Sequence, residues 1–150
     1  MPDPGRARSL VVASDHAGLA LKTEIAATLR EQGWTVDDLG THDSQSCDYP
    51  DYAHRLAETI ESGRHTLGVL VCGTGIGMSI AANRHRNVRA AACTDPYAAR
   101  MSREHNDANV LCLGARIVGA GLAQDIVAAF LAARFEGGRH ARRVDKLDPG

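Results

Sequence analysis

No stretch of this 150-residue chain approaches the ~20 consecutive apolar residues that a membrane-spanning helix needs. The opening Met1-Pro2-Asp3-Pro4-Gly5 also lacks the apolar core of a secretory signal. Neither sign of charge is in excess. Seventeen basic residues face 18 acidic ones for a net charge of -1, so no overall field favours nucleic acid or an anionic membrane, and any anion site must be local. The four cysteines, Cys47, Cys72, Cys93 and Cys112, lie 25, 21 and 19 residues apart with no CxxC pair, which argues against a zinc knuckle or a thioredoxin-like motif. Internal repeats, low-complexity tracts and linkers are missing as well. These absences lead us to expect a cytoplasmic protein with reduced thiols, forming one domain over residues 1–150 with residues 1–8 flexible.

What is present is an alternation of short apolar runs with helical patterns. Strands are expected over Leu10–Ala13, Trp34–Leu39, Leu67–Cys72, Val88–Cys93 and Val110–Leu113. Helices are expected over Leu19–Leu29, from near Pro50 to Gly63, over Ile76–Asn83, over Pro96–Glu104 and over Leu122–Phe135, with a basic tail, residues 136–150, beyond the last. Strands apolar on both faces and separated by helices indicate an α/β fold: a Rossmann-like three-layer α/β/α sandwich around a five-stranded parallel sheet. Such sheets bind ligands outside the carboxyl ends of their strands. Those ends carry Ser14-Asp15-His16, the loop around Cys72, Thr94-Asp95 and Gly114-Ala115-Arg116.

The third of these strands runs into Val71-Cys72-Gly73-Thr74-Gly75-Ile76-Gly77. A dinucleotide fingerprint would need glycine where Met78 stands, and no Gly-Lys-Ser/Thr follows to make a P-loop. Two readings remain for the three glycines, a bare structural turn or a small anion-binding nest at a helix N-terminus. Cys72 favours the second, because a thiol at a helix N-terminus is stabilised as the thiolate. A thiolate there can take a proton from carbon beside a carbonyl, and loop N–H groups are suitable donors to the enediolate that results. Such an isomerisation needs no metal and no cofactor. Cys93 and Cys112 fall in apolar runs and read as core residues. Asp15-His16 has no third metal ligand at suitable spacing. His42, His54, His65 and His85 lie in polar stretches and read as surface residues.

Several motifs occur together in register: Asp15-His16-Ala17-Gly18, Asp48-Tyr49-Pro50, Cys72 through Gly77 with Ala81-Ala82-Asn83, Arg103-Glu104-His105-Asn106-Asp107, Gly114-Ala115-Arg116 and Glu136-Gly137-Gly138-Arg139-His140. With these the chain resembles the type B ribose-5-phosphate isomerases over Leu10–Arg143. The resemblance implies that Cys72 moves a proton between C1 and C2 and that His105 is the acid that helps open the furanose ring. It implies substrate contacts from Asp15, His16, Tyr49 and Asn106, and an anion hole from Gly73, Thr74, Gly75, Ile76 and Gly77. Arg116, Arg139 and Arg143 are implied to bind the phosphate or the sugar. A homodimer whose sites are shared between subunits, possible pairing into a tetramer and a sugar-phosphate substrate are likewise implied, with no nucleic-acid or membrane partner. Where some relatives place a glutamate after the loop this chain has Met78, so cysteine is the implied base.

Without the resemblance, His105 near a helix end could equally cap carbonyls or face solvent, and the tail arginines could be a solvated patch. Arg139 and Arg143 are four apart, so a helical tail would put both on one face. Three functions are compared: an isomerase of ribose and ribulose 5-phosphates, which accounts for the most residues; an isomerase of a six-carbon sugar phosphate, such as allose or galactose 6-phosphate; and a non-catalytic sugar-phosphate-binding module.

Overall fold

The computed structural model describes residues 7–149. Its strands are β1 (Ser9–Ser14), β2 (Thr35–Asp38), β3 (Gly68–Cys72), β4 (Ala90–Ala92) and β5 (Val110–Gly114). They form one sheet in the order β2-β1-β3-β5-β4 with every pairing parallel. The helices are α1 (Leu19–Glu31), α2 (Tyr49–Glu61), α3 (Ile76–Ala82), α4 (Pro96–Asn106), α5 (Ala120–Ala132) and α6 (Arg139–Val144).

Alternation along the strands builds two cores. Leu10, Val12, Val69, Val71, Leu111 and Leu113 face α1, α4 and α5, where Ile25, Ala99, Ile126 and Phe130 are buried. Their neighbours Val11, Ala13, Leu70, Cys72, Val110 and Cys112 face α2 and α3, where Leu56, Ile60, Met78 and Ala82 are buried. The result is the expected three-layer sandwich, with the central strands apolar on both sides. Met78 is fully buried, so the residue that breaks the dinucleotide fingerprint is a core side chain.

The fourth strand is shorter than the pattern over Val88–Cys93 suggests, because β4 is an edge. Its free side is partly occupied by the Asn83 side chain, which accepts from Ala90 N–H at 2.8 Å and donates to Ala90 C=O at 2.9 Å. Asn83 thereby blunts an edge that would otherwise invite pairing. The tail is not plain coil. It forms the short helix α6, and Arg139 and Arg143 stand one turn apart on it. Six of the eight residues expected to be flexible lie outside the described residues. Arg8 is held by its side-chain bond to Gln32 C=O at 3.0 Å and by its carbonyl, which accepts from Thr35 N–H at 2.8 Å.

Lys22 is 1% exposed on α1, and its Nζ meets Asp38 Oδ1 at 2.7 Å and Thr41 C=O at 2.6 Å. This buried charge ties α1 to the end of β2 and to the turn that leads toward α2. Asp38→Ala would strand the ammonium, at a cost of about 3 kcal/mol, and Lys22→Met in the same chain should recover part of that loss. Urea denaturation midpoints of the two variants check this; an Asp38→Ala midpoint equal to the parent's would refute it.

Candidate active site

The chain leaves β1 to one side of the sheet, forms β2, and returns to place β3 on the other side of β1. The crevice between the carboxyl ends of β1 and β3 is therefore a topological switch point. Ser14 is in register with Val71, so Asp15 and Cys72 leave adjacent strands side by side. Cys72 is in turn in register with Gly114, and Arg116 N–H donates to Gly73 C=O at 3.0 Å. Three strand ends thus bring Asp15, His16, the glycine loop and Arg116 to one edge of the sheet.

Within the loop, Gly75 adopts φ +79°, a conformation that a β-carbon would strain, and its N–H donates to Cys72 Sγ at 3.1 Å. Cys72 is 5% exposed, and its sulfur sits against this backbone donor. Ile76 N–H is taken by Thr74 Oγ1 at 3.2 Å. Gly77 lies in the first turn of α3, whose N–H groups have no acceptor within the helix. A β-carbon at Gly77 would come within 2.6 Å of the Tyr49 ring, so the phenol packs directly against the start of α3. A β-carbon at Gly114 would meet Thr74 backbone at 2.6 Å, which explains glycine there: the strand passes against the loop's own main chain.

Asp15 is buried and its Oδ1 accepts from Gly18 N–H at 3.0 Å. His16 Nδ1 accepts from Cys47 N–H at 3.1 Å. Because a backbone N–H can only donate, Nδ1 holds a lone pair, and the neutral ring carries its proton on Nε2. The half-buried Cys47 contributes its backbone here, with its sulfur 3.9 Å from the same nitrogen.

The remaining expected residues form a second cluster. Helix α4 begins beside the carboxyl end of the sheet and runs back along it, so His105 and Asn106, at its far end, lie near Val110 at the start of β5. Val110 pairs with Gly68, whereas Cys72 pairs with Gly114; at about 3.3 Å per residue the two ends of these strands are roughly 13 Å apart. α6 packs at the same far end, where Glu136 N–H donates to Glu104 C=O at 3.0 Å. His105, Asn106, His140 and Arg143 line a cavity of about 240 Å³ there. One chain therefore brings Cys72 together with Asp15, His16, Tyr49 and Arg116, and brings His105 together with Asn106 and Arg143, with Arg139 on the same short helix, but does not bring the two groups together.

His140 was passed over in the sequence, where it reads as one more basic residue of the tail. Its ring stacks on that of His105, with centroids 4.2 Å apart and planes 10° from parallel. The signal that could have found it is the four-residue spacing of Glu136 and His140 across the start of α6, where Nε2 and Oε2 lie 3.7 Å apart. The ligand atoms of His105, Glu136 and His140 come within 4.8 Å of one another. Parallel imidazoles, however, cannot both aim in-plane lone pairs at one ion lying between them, so the stack does not suit a shared metal.

The other histidines depart from a plain surface reading. His54 Nδ1 lies 2.7 Å from His85 Nε2, and His85 Nδ1 lies 3.0 Å from Glu61 Oε2, while His65 Nε2 reaches Asp37 Oδ2 at 3.0 Å. All three rings are half-buried, His54 and His85 where α2 packs beside α3 and the turn after it, and His65 against the Asp37 side chain of β2. Only His42 is exposed. Cys93 and Cys112 are buried as expected, and burial pushes the Cys93 thiol up to about 11 and the Cys112 thiol well above the ordinary range. Neither can serve as a base near neutral pH.

Comparison with known proteins bears on this arrangement. Residues 10–147 match the family model described as Ribose/Galactose Isomerase. The chain belongs to this family. It is 48% identical over 140 residues to ribose-5-phosphate isomerase B of Escherichia coli, covering 93% of this chain and 94% of that one. The solved structure of the Clostridium thermocellum ribose-5-phosphate isomerase B superimposes with a TM-score of 0.92 at 54% identity, covering 93% and 94% of the two chains. That of Mycoplasma genitalium, with bound ribulose-5-phosphate, superimposes at 0.90 with 42% identity and 93% coverage of each. Among the described residues no helix is long and apolar enough to cross a membrane.

Proposed function

We propose that this chain interconverts ribose 5-phosphate and ribulose 5-phosphate in the cytoplasm, with Cys72 as the base and His105 as the ring-opening acid. The observation that carries the reading is the bond from Gly75 N–H to Cys72 Sγ at 3.1 Å, in a loop that opens on the switch-point crevice beside Asp15 and His16. His105 gives its proton to the ring oxygen as the C1–O4 bond breaks and O1 releases its own to form the aldehyde. The Cys72 thiolate then takes the proton from C2, and the electron pair moves through the C1–C2 bond onto O1. Loop N–H groups hold the enediolate. The thiol returns the proton to C1 while the hydroxyl protons redistribute, leaving the ketone at C2. Asn106 contacts the sugar, and Arg116, Arg139 and Arg143 hold the phosphate or the sugar.

This chemistry requires His105 within reach of a sugar bound at Cys72, which the geometry of one chain denies. A homodimer in which one copy supplies the Cys72 edge and the other the His105 edge answers the requirement. It is supported by the apolar side chains left exposed just past the strand ends, namely Ile76 at 55%, Tyr97 at 66% and Ile117 at 52%. Unpaired cysteines fit a reducing compartment.

An assay across aldose phosphates of four, five and six carbons tests the substrate. A four-carbon 4-phosphate has no free hydroxyl with which to close a furanose ring, so a ring-opening acid is wasted on it. We expect kcat/KM for ribose 5-phosphate to exceed that for allose or galactose 6-phosphate by about tenfold or more, since an extra carbon displaces the phosphate from its arginines. Preference for a six-carbon substrate, or no turnover at all, would overturn the assignment.

A further inference from the structure

We propose that His140 is a positioning residue for the ring-opening acid: its imidazole, stacked on His105 and with its Nε2 3.7 Å from Glu136 Oε2, fixes the plane of the His105 ring. The inference rests on the reading of His105 as that acid.

The geometry is unusual for two basic side chains. The rings lie 4.2 Å apart and nearly parallel, so each covers one face of the other. His140 is 5% exposed, and its Nε2 has no hydrogen-bond partner. His105 is half-buried on the wall of the cavity that also holds Asn106 and Arg143. The groups facing His140 are His105 from α4, Glu136 from the segment ahead of α6, and Arg139 and Arg143 from α6 itself. Burial, and then the charges of His105, Arg139 and Arg143, hold the His140 imidazole below its ordinary range against the opposing pull of Glu136. Of the two rings that line the cavity, His105 is the more accessible. A flat neutral ring behind it restricts rotation about the His105 side-chain bonds, so that its N–H keeps one direction toward the sugar.

Ring opening can be separated from proton transfer because ribulose 5-phosphate cannot cyclise: the hydroxyl that would close a five-membered ring carries its phosphate. Exchange of its C1 proton with solvent deuterium, followed by NMR, needs the thiol and the loop but not the acid. For His140→Ala we expect turnover of ribose 5-phosphate to fall about tenfold or more while C1 exchange stays within about threefold of the parent. His140→Phe, which keeps a flat ring but holds no proton, should recover turnover to within about threefold. Unchanged turnover in His140→Ala, equal loss of turnover and exchange in both variants, or no rescue by phenylalanine would each overturn the proposal. His105→Ala in parallel should show the same separation more strongly. If it does while His140→Ala behaves as the parent, the acid stands and the positioning role falls; if His105→Ala shows no separation, both fall.

Discussion

Cys72→Ala is expected to lower kcat for ribose 5-phosphate by about a thousandfold or more while leaving the dissociation constant within about tenfold. As the proposed base, Cys72 would act on a C–H bond that breaks only in the transition state, so its removal would be felt in kcat and little in ground-state binding. A thousandfold corresponds to about 4 kcal/mol, within reach of a single well-placed base. Neither Met78 nor Cys112 can substitute: Met78 is buried in the core, and Cys112, on the adjacent strand, is fully buried with its thiol held well above the ordinary range. Cys72→Ser should fail almost as completely, because an alcohol restores the volume and the Gly75 bond without supplying a base. That variant separates chemistry from any cavity the alanine leaves. Steady-state kinetics together with calorimetric binding of the sugar phosphate check both numbers, and alanine turnover within tenfold of the parent would sink the role of Cys72.

Much of this site was legible because its parts are local. The Cys72 loop declares itself by three glycines at a strand end. A parallel sheet carries Asp15-His16 and the Cys72 loop to the same edge, whereas the pairing of β1 with β3 that sets Asp15 beside Cys72 is seen only in the structure. The element boundaries moved by one to three residues; β4 shrank at both ends because it is an edge, and the tail gained α6 because it packs against the end of α4. What the sequence could not display is contact between separate helices. Neither His85, which bridges His54 and Glu61, nor the His105–His140 stack has a periodic signature, since each joins residues 24 to 35 positions apart. Lys22 was hidden for a similar reason. Its position in an amphipathic helix suggests solvent, yet the carboxylate and carbonyl that receive it come from the end of β2 and the turn beyond.

The division of the site between two ends of the sheet leads to the second large effect. Cys72→Ala and His105→Ala should each be nearly inactive alone, yet a mixture of the two, unfolded and refolded together, should regain about one quarter of the parent activity. In a hybrid dimer with shared sites, one site would draw both Cys72 and His105 from intact positions, while the other would lose both. Random pairing makes half of the dimers hybrid, and half of their sites are then whole. From parents at about a thousandth of normal turnover, the recovery would exceed a hundredfold. A site contained within one chain predicts no recovery, because every chain in the mixture carries a lesion. The run of roughly 13 Å along β3 and β5 between the two clusters is what makes the shared site the stronger expectation, since neither His105 nor Cys72 has a side chain long enough to cross it. Mixing the folded parents without unfolding is the matching control: recovery there, growing over hours, would measure how readily the dimer exchanges its subunits.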